Sequence, residues 1–85
     1  MTMTQAIYQV IYVQRENNNV HDMLVAADNA RNAKSAFYLK MNQYGCLRMD
    51  VRILSFLVAD TPDADRALVA AQALQDAVDA KAARA

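Results

Sequence analysis

The residues best suited to recognition lie between positions 29 and 52. Five cations, Arg31, Lys34, Lys40, Arg48 and Arg52, stand there against the single acid Asp50, a net charge of +4 in a chain whose total is zero. Arg31, Lys34, Ser35, Tyr38 and Asn42 recur at helical spacing, so on a helix they share one outward arc. A tyrosine among cations can stack and pair with an acidic protein surface or with nucleic acid. Leu39, beside Tyr38 and opposite Phe37 and Met41, adds an apolar contact on the outer side. Arg31, Lys34, Tyr38 and Leu39, supported by Arg48 and Arg52, are the candidate partner-binding residues. The plainer reading of the arc is a solvated face whose cations balance acids elsewhere, because exposed charges contribute little to stability.

Other reactive types are sparse. His21 precedes Asp22, and a histidine beside a carboxylate can act as a general base. No nucleophile is placed near it, so a surface pair beside a turn is the expectation. Tyr8 and Tyr12 share one face of a strand, an arrangement that stacks bases in RNA-recognition folds. Such a fold needs a fourth strand, and here both rings read as core with hydroxyls at the rim. Cys46, the one cysteine, excludes a disulfide framework, fits a reducing cytoplasm and reads as a half-buried small residue. The only glycine, Gly45, leaves no phosphate-binding loop. Zinc spacing, paired catalytic carboxylates and a calcium loop are also missing from the pattern. The expectation is a non-enzymatic protein without cofactor or metal.

These residues must be positioned by one small domain spanning 1–85. The chain is 85 residues long, 55% hydrophobic, with nine basic and nine acidic side chains. That composition is too apolar for a disordered chain. No apolar run reaches the roughly 18 residues of a membrane span, and Met1-Thr2-Met3-Thr4 lacks the start of a signal peptide. A neutral total argues against general nucleic-acid binding.

Residues 5–14 read as a strand with both faces apolar: Tyr8, Val10 and Tyr12 on one, Ile7, Ile11 and Val13 on the other. Arg15 to Asn19 form a turn suited to left-handed backbone, and residues 20–27 return as a second strand. Asp28 or Asn29 caps a helix over 30–44 whose stripe is Ala30, Ala33, Phe37, Met41 and Tyr44, stopped by Gly45. Residues 47–58 read as a third strand, in which Leu47, Met49, Val51 and Ile53 alternate with polar residues before the alternation is lost. Thr61-Pro62-Asp63 opens a closing helix over 62–82, with Ala67, Ala70, Ala71, Leu74 and Val78 on its stripe and Lys81 and Arg84 complementing its end. The order β-β-α-β-α predicts an α+β fold with a three-stranded antiparallel sheet in the order 2-1-3. The first helix lies on one face. The closing helix either joins it on that face or covers the other, and the other face is shielded by this helix or by a second subunit in a homodimer.

Three segments carry a resemblance. Val25-Ala26-Ala27-Asp28-Asn29-Ala30 ends a hairpin, Ala33-Lys34-Ser35-Ala36 opens an alanine-rich helix, and Met49-Asp50-Val51-Arg52-Ile53 is an amphipathic strand. This pattern, over less than half of the chain, resembles small accessory proteins of phages and mobile elements of the anti-CRISPR type. The resemblance implies a protein that binds and blocks a host protein or ribonucleoprotein complex in the cytoplasm, away from any membrane. The alternative is an assembly protein that forms a homodimer through an apolar sheet face.

Overall fold

The computed structural model describes residues 5–83, so the expectations placed on residues 1–4 and on Arg84 lie outside the described residues. Strands β1 (Ala6–Gln14) and β2 (Val20–Ala27) form an antiparallel hairpin. Its turn uses the asparagines as their chemistry suggests. Asn18 takes the left-handed region at φ 61°, and Asn17 Oδ1 accepts from the Asn19 amide at 3.0 Å. Helix α1 (Ala30–Gln43), strand β3 (Val51–Val58) and helix α2 (Pro62–Ala83) follow. β3 pairs antiparallel with β1, giving a sheet in the order β2-β1-β3. This is the α+β arrangement expected from the pattern.

Asn29 caps α1, its Oδ1 accepting from the Asn32 amide at 2.9 Å. Gly45 at φ 81° ends it, and the Cys46 amide donates to the Met41 carbonyl at 2.9 Å. The buried stripe is narrower than the periodicity suggests. Ala33, Phe37 and Met41 are buried, whereas Ala30 is exposed and Tyr44 is 70% exposed. Both sit at the helix ends, beyond the sheet residues that cover the middle. Phe37 is fully buried with Val10, Tyr12, Val25, Ala27 and Val51 around it.

β3 begins four residues later than the pattern predicts. Residues 48–50 form a 3-10 turn (Arg48–Asp50). Asp50 closes it from both sides: its carboxylate accepts from the Leu47 amide and its own amide donates to the Leu47 carbonyl, both at 2.9 Å. A side chain that satisfies the backbone locally competes with a sheet ladder. Leu47 and Met49 therefore point to solvent rather than to the core, Met49 being 74% exposed. The lost alternation after Ile53 has a direct cause. Tyr12 pairs with Ile53 and Ile11 with Ser55, so Leu54 is the extra residue of a β-bulge. Val51 and Ile53 before it, and Phe56 and Val58 after it, thereby share the face of Tyr8, Val10 and Tyr12.

α2 lies on the opposite face, over Ile11 and Gln9. Thr61 Oγ1 accepts from the Ala64 amide at 3.1 Å and starts the helix. The buried Gln9 donates through Nε2 to the Ala64 carbonyl at 3.0 Å. At the far end Gln75 Oε1 accepts from the Val20 amide and its Nε2 donates to Asn19 Oδ1. The inner face is Ala64, Ala67, Ala71, Gln75 and Val78. Ala70 and Leu74, placed on the stripe by periodicity, are exposed instead. Two glutamine tethers rotate the helix so that small residues meet the strands. α2 thus covers the centre of the sheet face on which the homodimer reading rests, while Ile7 and Leu24 on the same face stay 45% and 56% exposed.

Candidate partner-binding site

A regular strand over residues 47–58 would carry Arg48 and Arg52 on one side, opposite Leu47, Met49, Val51 and Ile53. The 3-10 turn separates them. It swings Arg48 toward α1, where its guanidinium carbon lies 4.6 Å from the centre of the Tyr38 ring. Tyr38 also meets Phe37 edge to face, at 5.2 Å between ring centres. A core aromatic thus fixes the ring on which an exposed cation rests.

Around this pair is a groove of about 600 Å³, lined by Arg31, Lys34, Ser35, Tyr38, Leu39, Asn42 and Arg48. Five of the six predicted residues therefore meet at one place. Arg52 does not join them. It pairs with Val13 in register, and since Val51 and Ile53 face α1, Arg52 belongs to the opposite side of the sheet. Leu39 is 63% exposed at the groove. No acid lines it. The one ion pair among the described residues joins Arg66 to Asp63 on α2, so Arg31, Lys34 and Arg48 carry no carboxylate partner. Three uncompensated cations, one of them stacked on a tyrosine, make a positive site open to an anionic group.

A second cleft lies beside the first, sharing Arg31 and Lys34 with it. It measures about 400 Å³ and is lined by Ala30, Arg31, Lys34, Ile53 and Phe56. α1 packs mainly on β2 and only lightly on β1, leaving the β3 side of this sheet face partly open. The bulge at Leu54 is what turns Phe56 into this opening, and a bulge is not visible in residue alternation alone.

The other reactive types stand apart. His21 and Asp22 are exposed, and His21 Nε2 lies 3.3 Å from Gln14 Oε1 while its ring stacks on Tyr12. Tyr12 is core, and burial pushes its hydroxyl above the ordinary tyrosine value. Tyr8 is half-buried and stacks on Phe56 at 5.5 Å. Cys46 is half-buried. Among the described residues no group of three histidine, cysteine or acidic side chains is placed to hold a metal, and no helix is long and apolar enough to cross a membrane. Comparisons with protein-family models, with curated proteins and with solved structures found no match. The functional reading therefore rests on the geometry of the groove.

Proposed function

We propose that this protein is a non-enzymatic binding module that occupies the surface of a larger protein or ribonucleoprotein complex through the outer side of α1. The observation that carries it is the convergence of Arg31, Lys34, Tyr38, Leu39 and Arg48 on one groove without a compensating acid. Arginine and tyrosine are the residue types enriched at interface cores and hot spots. Leu47 and Met49, exposed on either side of Arg48 in the turn, extend the apolar contact. The pattern-level resemblance to anti-CRISPR proteins agrees with a role in blocking a host complex by occupancy.

Reversing two charges tests it. Arg31 and Lys34 are exposed, so Arg31→Glu with Lys34→Glu leaves the core untouched. The double variant is expected to keep its circular dichroism and thermal midpoint while losing capture of a stoichiometric protein complex from host lysate at high salt. Capture at wild-type level by the variant would remove the groove from the account.

A further inference from the structure

The groove and the apolar cleft share a wall. Arg31 and Lys34 line both of them. Ala30, Ile53 and Phe56 complete the cleft, and its lining is almost wholly apolar. The aliphatic stems of Arg31 and Lys34 therefore face the cleft, and their charged heads stand at its rim. Two cations without a carboxylate partner at the rim of an apolar cleft select an occupant with two chemistries close together. One part must be apolar and bulky enough to enter a cleft of about 400 Å³. The parts flanking it must be anionic.

We infer that the partner engages this protein through an acidic peptide segment carrying a bulky apolar side chain: that side chain enters the Ala30–Ile53–Phe56 cleft, and neighbouring carboxylates meet Arg31 and Lys34. The inference rests on the reading of α1 as a partner-binding face and adds the chemistry of the partner. A nucleic acid would also supply anions, but it would have to place a base in the cleft. The cleft lining is almost wholly apolar and its only polar side-chain groups, on Arg31 and Lys34, stand at the rim, so a base placed inside would bury most of its polar edge unpaired, which is costly. A phenyl or branched aliphatic side chain has no edge to satisfy.

Ala30 provides a clean variant. It is exposed in the first turn of α1, which has no acidic residue of its own, so Ala30→Glu suits the positive helix end while placing a carboxylate at the cleft mouth. The experiment is an amide-resolved NMR titration of the full chain with the peptide acetyl-Asp-Glu-Phe-Glu-Asp-amide. Its controls are the same peptide with alanine for phenylalanine, and a short oligothymidylate. The expected result is shift changes at Ala30, Arg31, Lys34, Ile53 and Phe56, with affinity about tenfold weaker for the alanine peptide and for the Ala30→Glu protein. Equal binding of the two peptides, the absence of shifts at Ile53 and Phe56, or tighter binding of oligothymidylate at these residues would each overturn it. The two proposals fail separately. If Arg31→Glu with Lys34→Glu abolishes capture of a protein complex and Ala30→Glu leaves it intact, the α1 face stands and the cleft falls. If the double reversal changes nothing, both fall.

Discussion

At the scale of single residues, position 48 shows how a local bond redirects a functional side chain. In a strand from residue 47, Arg48 would point away from α1. The Asp50 carboxylate instead ties back to the Leu47 amide, bends the chain into a 3-10 turn and sets Arg48 over Tyr38. Tyr12 allows a sharper test. Its hydroxyl is raised first by desolvation, then by the charges of Cys46 and Asp22. A raised pKa in the folded state means that the neutral phenol is favoured there. Its contribution is therefore fully present below the ordinary value of 10.0 and is lost as pH climbs through the higher folded value. Tyr12→Phe cannot ionise, so its unfolding midpoint in urea should fall less steeply above pH 10 than that of the wild type. Parallel profiles for the two proteins would contradict this.

At the scale of elements, the bulge in β3 couples the core to the candidate site. Removing Leu54 takes out the unpaired residue and leaves Val51, Ile53, Phe56 and Val58 alternating on the α1 side. The deletion of Leu54 should therefore give a folded protein with a dispersed NMR spectrum. Deleting Ile11 from the central strand should unfold the chain, because one missing residue there sends half of β1 to the wrong face of both ladders. An unfolded Leu54 deletion, with native-like spectra for the Ile11 deletion, would reverse the assignment. The hairpin, the Asn29 cap, the Gly45 stop and the Thr61-Pro62 start were all readable from residue types, because each satisfies backbone groups within a few residues of itself. The 3-10 turn and the bulge were not. Both sit in stretches whose hydrophobic pattern fits a regular strand as well.

At the scale of the whole molecule, the protein is less compact than its mass suggests. It exposes 6139 Å², against about 5,000 Å² for a folded chain of this mass. Its radius of gyration is 14.2 Å, against roughly 12 Å for a compact domain of this length. α2 accounts for part of this. Its last hydrogen-bond tie to the sheet is at Gln75, Val78 is its last partly buried residue, and Asp79–Ala83 are exposed. Truncation after Asp79 should therefore change stability by less than about 1 kcal/mol, read as a shift of no more than a few degrees in the thermal midpoint. A large drop would mean that the end of α2 contributes packing to the fold. Val69, 72% exposed on the outer arc of the same helix, is unaffected by such a truncation and keeps that surface apolar.

The element order and the outward side of α1 can be read from residue types alone, because hydrophobic period and terminal capping act over short distances, and the strand order follows from a first strand apolar on both faces, which belongs at the centre. The sequence also singled out Arg31, Lys34, Tyr38 and Leu39, since residues at helical spacing share a face wherever the helix sits. Tertiary structure decided the rest. It chose the sheet face for α2, where Gln9 and Gln75 fasten the helix to strands more than fifty residues away in the chain. It brought Arg48 to the site and left Arg52 behind the sheet. It opened the Ile53–Phe56 cleft by seating α1 over β2 rather than β3. Each of these depends on which distant groups satisfy one another in the folded chain, and alternation or helical spacing carries no record of that choice.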